Sequence, residues 1–312
     1  MVDLLMACPV CGATDVELFA TAYDKEYLTS DDPYRYVSCR ACTAVYLDSP
    51  PADRLSEIYP ENYYSYGEVE ESTTVTERIK SWLDGRMLRR VLDRIPGKKL
   101  RVLDVGGGSG WLLTNARQVC DRITETHEVD LQSAAASLAE GAGHVYHCMA
   151  VEDFTSDQPF DLIMMFSIIE HVPDPAQVLR KMRSLLSENG ILLLKTPNTA
   201  TLDCRLFKNR NWGGFHCPRH FVLFTMKGLS ELGDRCGLRT VDSYYTQGAP
   251  QWAISVMAWM HDRRWIRITP QRPAYQNRVY EPLTAAFAAV DFVRAPFVPT
   301  AQMMVSFKRA AA

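Results

Sequence analysis

No run of apolar residues in this sequence is long enough to span a bilayer, which takes roughly 20 residues. The longest, from Leu162 to Ile169, is interrupted by Ser167. Nor is there an excess of positive charge. The 34 Lys and Arg against 37 Asp and Glu leave a formal charge of -3, so no bulk field exists to grip nucleic acid. Met1 to Cys8 carries no basic flank and too short an apolar stretch for a secretion signal. Internal repeats and low-complexity segments are also missing. These absences predict a cytoplasmic globular chain that acts on a small molecule, with neither a membrane nor a nucleic acid as partner.

Cysteine, by contrast, is plentiful, with nine among 312 residues. A long chain without a secretion signal does not use them as a disulfide framework. Cys120, Cys148, Cys204, Cys217 and Cys236 are scattered and read as small buried hydrophobes. The other four form two knuckles, Cys8-Pro-Val-Cys11-Gly and Cys39-Arg-Ala-Cys42, flanking short alternating stretches such as 35–38 and 44–47. Each knuckle presents two sulfurs from one tight turn, and four thiolates in a tetrahedron suit a structural Zn2+ with no open position for a substrate. A redox role is the weaker reading, because neither pair opens a thioredoxin-like helix. Residues 1–50 therefore read as a zinc ribbon. Residues 51–96 read as a connecting arm and helix covering the substrate, with apolar residues at helical spacing from Val75 to Leu92 and a stop at Pro96-Gly97.

From residue 97 to 312 strands and helices alternate. Strands are expected at 101–105, 124–129, 145–148, 160–166 and 190–195, with helices at 111–119, 132–140 and 175–186 between them. An insertion at 198–224, a helix at 226–236, a strand at 238–245, a helical segment at 250–290 and a strand at 301–308 follow. Such alternation marks a parallel sheet covered by helices on both faces. The stretch Arg101-Val-Leu-Asp104-Val-Gly106-Gly107-Gly108-Ser109-Gly110-Trp111 is an apolar strand, a glycine turn and a helix start. Glycines let backbone amides approach a ligand, and a helix N-terminus favours an anionic group. The dinucleotide pattern fails, since its third glycine would fall at Trp111. The phosphate-loop pattern also fails, because no Gly-Lys-Ser/Thr follows.

What remains, Asp104-x-Gly106-x-Gly108-x-Gly110, resembles motif I of the class I S-adenosylmethionine-dependent methyltransferases. The resemblance implies an α/β, Rossmann-like fold with a seven-stranded, mostly parallel sheet, a small N-terminal zinc ribbon and a C-terminal helical cover. It implies S-adenosylmethionine as cofactor, held by Asp104, Gly106, Gly108 and Gly110. Asp130, closing the next strand, would hold the ribose hydroxyls, since a carboxylate accepts two hydrogen bonds. Val151 and Glu152 would lie by the adenine, although Ala150 stands where the family often has an acid. The signature running from Phe160 to Pro175 would place Ser167 at the cofactor and Glu170-His171 at the reacting end. A Cys-x-x-Cys ribbon ahead of this motif order also resembles the zinc-binding sugar C-methyltransferases of antibiotic biosynthesis.

Methyl transfer from a sulfonium needs alignment, water exclusion and removal of the acceptor's proton. Glu170 and His171 are the candidate bases. Tyr64 and Tyr66 of the arm, with Arg205, Arg210, Trp212, Phe215, Arg219 and His220 of the insertion, are the candidate substrate residues. Rings line apolar pockets and Arg forks suit anions. They predict an acceptor with an apolar body and an anionic end: a nucleotide sugar, a carboxylated aromatic, or a prenyl diphosphate that would recruit Mg2+. Methylation would fall on carbon or oxygen in specialised metabolism. An RNA methyltransferase reading through the ribbon, and a non-enzymatic ribbon protein with a relic cofactor fold, are the alternatives.

Overall fold

The structure is a computed structural model and describes residues 7–64, 75–131 and 134–310. Its centre is a seven-stranded sheet. The strands are β4 (Leu100–Val105), β5 (Ile123–Asp130), β6 (Val145–Cys148), β7 (Phe160–Phe166), β8 (Leu186–Pro197), β10 (Leu238–Thr246) and β11 (Gln302–Arg309). Their order is β10-β11-β8-β7-β4-β5-β6, with β11 antiparallel to both neighbours and the other pairings parallel. This is the Rossmann-like, seven-stranded arrangement that the resemblance implies, and its parallel strands are those that the alternation of strands and helices predicts. β4 and β7 read as near-continuous apolar runs because both sheet faces are covered.

The covering helices form for local reasons. In α5 (Pro175–Leu185), Pro175 occupies the first turn and Asp174 caps it, accepting the Gln177 amide at 2.8 Å. Val178, Leu179, Met182 and Leu185 fall on one face and are all buried. Full burial of each contributes about 1.5–3 kcal/mol. α7 (Met226–Arg235) is capped the same way by Thr225. Differences from the sequence expectation are mostly at ends. β8 starts four residues early, directly from α5, and α4 is confined to Ala136–Gly141, with residues 132–133 outside the described part. No helix among the described residues is long and apolar enough to cross a membrane.

Chain direction reverses beside β4: the path runs outward through β5 and β6, then returns to β7 on the other side. Loops leaving the C-terminal ends of β4, β5 and β7 therefore meet at a switch point, where open α/β sheets hold ligands. A second sheet has the order β1-β2-β3-β9, from β1 (Val16–Ala22), β2 (Tyr34–Cys39), β3 (Val45–Leu47) and β9 (Val222–Leu223). Its fourth strand comes from the insertion, pairing Val45 with Leu223 and Tyr46 with Val222. The N-terminal sheet is thereby stitched to the segment beside Glu170, whose carbonyl accepts the Phe221 and Val222 amides at 2.7 and 3.1 Å.

Candidate active site

β4 ends at Val105 and α3 (Trp111–Val119) begins six residues later. Gly106, Gly108 and Gly110 between them have φ of 74°, 61° and 77°, the left-handed region that only glycine enters freely. A side chain at Gly106 would strike Ile168, and one at Gly110 would strike the His144 ring. At Gly108 a Cβ would meet nothing within 4 Å. The turn is thus packed behind and open at its crest, as a cradle for a ligand must be. Asp130, at the end of β5, reaches the same crest and accepts the Gly108 amide at 3.1 Å. Asp104 is buried beneath it, with no side chain donating to either oxygen. Val151 and Glu152 lie on the turn after β6, Val151 buried and Glu152 partly so. Ser167 follows β7 at φ 56°, its amide tied to the Lys195 carbonyl.

Across the switch point lies a second cluster. Glu170 is fully buried; its Oε2 accepts the Thr196 hydroxyl at 2.9 Å, while Oε1 has no hydrogen-bond partner and lies 3.9 Å from His220 Nε2. Burial pushes this carboxyl up to about 7, against the pull of the Thr196 bond. His171 Nδ1 sits 3.0 Å from the Arg219 carbonyl and 2.9 Å from the Tyr59 hydroxyl. A carbonyl only accepts, so Nδ1 carries the proton and Nε2 the lone pair. Loss of surrounding water, then the nearby His216, pushes His171 down to about 3. An imidazole that protonates only in strong acid is a weak base, whereas a carboxylate poised near neutrality is an effective one. Of the two candidate bases, Glu170 is the one whose carboxyl burial raises toward neutrality.

Around this pair the insertion and the arm close a histidine-tyrosine shell. His220 Nδ1 lies 2.8 Å from the Gly214 carbonyl, and the His171 and His220 rings meet edge to face at 4.6 Å. His216 bridges Glu26 Oε2 at 2.8 Å and the Tyr63 hydroxyl at 3.0 Å. Tyr64, half exposed, packs on Tyr63 with ring centroids 4.6 Å apart, while Tyr66 lies outside the described residues.

The other insertion residues do not converge on one pocket. Arg219 is wholly buried, paired with Asp24 at 2.9 Å and stacked over the Tyr27 ring, so its charge is already answered within the protein. Trp212 is buried and donates to Asp203 Oδ2 at 2.6 Å, and Phe215 stacks on Tyr36 at 4.3 Å. Both rings are core between the N-terminal sheet and the insertion. Arg205 and Arg210 are exposed. An anion site built from these three arginines and two rings is not what the geometry assembles.

Sequence reasoning missed Tyr59, Thr196, Asp24 and Glu26 as site residues. Asp24 and Glu26 lie in the loop after β1, and their partners Arg219 and His216 are far away in sequence, so no local pattern marks them.

At the N-terminus, Cys8 and Cys42 sulfurs stand 3.6 Å apart, Cys11 and Cys39 sulfurs 3.5 Å, and all four lie within 4.8 Å of one another. That is far beyond a disulfide and close to the edge of a tetrahedron with ~2.3 Å metal–sulfur bonds. The knuckles repeat each other: the Gly12 amide donates to the Cys8 carbonyl and the Thr43 amide to the Cys39 carbonyl. The donor set fits a zinc ion.

A family model described as a methyltransferase domain matches residues 77–243, more than half of the chain. The chain belongs to that family. Within this methyltransferase family, it is 34% identical over 116 residues to the ubiquinone biosynthesis O-methyltransferase of Xanthomonas euvesicatoria pv. vesicatoria, covering 36% of this chain and 48% of that relative. It is 32% identical over 154 residues to the tRNA 5-carboxymethoxyuridine methyltransferase of Escherichia coli K12, covering 47% and 56%. The chain spans about half the length of these curated relatives. Among solved structures, a candidate sarcosine dimethylglycine methyltransferase from Galdieria sulphuraria superposes with a TM-score of 0.51 at 16% identity, covering 75% of this chain and 86% of that one. That likeness shows the methyltransferase fold.

Proposed function

We propose that this chain is an S-adenosylmethionine-dependent methyltransferase that moves a methyl group to carbon or oxygen of a small molecule, with Glu170 as the proton acceptor. The observation that carries the reading is the buried, half-partnered Glu170 carboxylate, held near neutrality across the switch point from an open glycine cradle. S-adenosylmethionine, when bound, supplies an electrophilic methyl carbon on a sulfonium. The Gly108 crest and Asp130 would hold it, Asp130 accepting from the ribose hydroxyls. Glu170 Oε1 would accept the proton that the acceptor loses on methylation and would return it to solvent. His171 and His220, neutral by virtue of burial, exclude water and orient the acceptor. Zinc in the four-cysteine site would be structural, fixing the knuckles that start and end the β1–β2 hairpin.

The likeness to a tRNA methyltransferase favours a second reading, transfer to RNA. The ribbon's surface speaks against it. Asp15, Glu17, Asp31 and Asp32 are exposed there, and Arg40 is engaged by Asp15 and Glu17. A phosphate backbone would meet acids. The test is to incubate the protein with labelled S-adenosylmethionine and, in parallel, bulk tRNA and pools of phenolic, carboxylated aromatic and nucleotide-sugar acceptors. Label transfer to a small acceptor that falls ~100-fold in Glu170→Gln is expected. Transfer to tRNA alone, with retention weakening steeply in salt, would establish the RNA reading instead.

A further inference from the structure

Beneath the glycine turn, two acidic side chains occupy neighbouring positions on adjacent strands. Asp104 on β4 pairs in register with Glu128 on β5. Both are essentially inaccessible to solvent. Glu128 Oε1 accepts the Gly107 amide at 2.6 Å; Oε2, and both oxygens of Asp104, receive no donor side chain. The two carboxyls converge on one spot, because a Cβ on Gly107 would collide with Asp104 Oδ2 and Glu128 Oε2 together. Gly107 is thus the absence that makes room for Glu128, although its own backbone is not left-handed.

Among the described residues nothing cationic answers this pair, and the one other charged group acting on it is Asp130, two residues along β5 and itself acidic. On β6 the neighbour of Glu128 is Tyr146, a phenol held protonated by burial, and on β7 the neighbour of Asp104 is Met164. Two like charges side by side in a dry interior are strongly unfavourable, so one proton must be shared between them. Burial, with the charge of Asp130, raises Asp104 to about 7, and burial with Asp104 raises Glu128 well above its ordinary value.

We propose that Glu128 is a cofactor-site residue: it and Asp104 hold one proton beneath the glycine turn, and docking of the cofactor's cationic end expels it. The inference rests on the turn being the S-adenosylmethionine site. A cation brought to the crest stabilises the doubly ionised pair, so binding releases a proton and tightens as pH rises. The sign is fixed by the raised values: both carboxyls hold protons above the ordinary carboxylate range, Asp104 up to about 7, so release on binding makes affinity rise with pH. The sulfonium adds a second positive charge, so S-adenosylmethionine responds more steeply than S-adenosylhomocysteine.

The test is calorimetric binding of S-adenosylhomocysteine and S-adenosylmethionine to the full chain in two buffers of different ionisation enthalpy, between about pH 6 and 7.5. Wild type should release a substantial fraction of a proton, with affinity rising roughly 3- to 10-fold across that range. In Glu128→Gln the amide can donate to Asp104, leaving one ionised carboxylate, so release and pH dependence should both fall close to zero. Because the proton count is read on wild type, a variant that folds poorly does not decide the matter. Binding with no proton release in wild type would overturn the proposal while leaving the cofactor reading intact. Unchanged release in a folded Glu128→Gln would overturn the role of Glu128. No binding at any pH would overturn the cofactor reading and this inference with it.

Discussion

Replacing Arg219 by Met should be among the most damaging single changes in this protein. Its guanidinium and the Asp24 carboxylate are both completely buried and 2.9 Å apart. Asp24 lies in the loop after β1 and Arg219 in the insertion, so the pair ties the N-terminal sheet to the acceptor side of the site. Removing one member strands a buried charge, which typically costs about 3–5 kcal/mol. Asp24 keeps the Glu26, Tyr27 and Thr29 amides and the Thr29 hydroxyl as donors, which places the expected loss near the lower end, about 3 kcal/mol. The pH dependence gives a second, independent signature. With Arg219 present, Asp24 is held below the ordinary carboxylate value. Its stabilising contribution is then present above the unfolded value and lost only as pH falls through the still lower folded one. Without Arg219, burial raises the folded value above the unfolded one, so the folded variant gains a proton first. The gap between variant and wild type should therefore narrow from pH 7 to pH 5. Urea unfolding followed by circular dichroism at both pH values measures this. A loss under about 1 kcal/mol, or a gap unchanged with pH, would refute the reasoning.

Other expectations follow from the same geometry. Purified protein should contain one zinc per chain by elemental analysis, and Cys8→Ser or Cys39→Ser should lower its stability sharply, since metal binding is coupled to folding; zinc-free protein never exposed to chelator would contradict this. Glu170→Gln should leave S-adenosylhomocysteine affinity unchanged while slowing turnover by ~100-fold, and wild-type turnover should rise with pH through about 7 as the base ionises. His171→Gln should slow turnover less than Glu170→Gln, because His171 is a weak base; the reverse ranking would reassign the base. Gly108→Ala should weaken cofactor binding at a stability loss of only about 1–2 kcal/mol, whereas Gly106→Ala also collides with Ile168 and should cost more, as thermal unfolding with and without cofactor would reveal.

Much of this molecule is legible in its sequence. The strands at 145–148 and 160–166 and the helix at 111–119 fall where apolar periodicity places them, because each is bounded by glycine, proline or a polar break. The glycine turn is legible for a chemical reason: a left-handed backbone at Gly106, Gly108 and Gly110 needs those residues. The two-residue strand β9 is not legible, since two residues have no period. Without it the joining of the N-terminal sheet to the insertion is invisible. Buried charges mislead for a related reason. Arg219 reads as an anion binder until Asp24, far away in sequence, is seen beside it, and Trp212 reads as a pocket wall until Asp203 takes its N–H. Glu128 reads as one more strand residue until the register sets it against Asp104.

The central claim is that the Gly106–Gly110 turn and Asp130 form an S-adenosylmethionine site, and calorimetric titration with S-adenosylhomocysteine addresses it most directly. Wild type should bind one equivalent per chain, and Asp130→Ala should bind roughly 10- to 100-fold more weakly, because two charge-assisted hydrogen bonds are lost. Absence of saturable binding to wild type, or equal affinity in Asp130→Ala, would contradict the account.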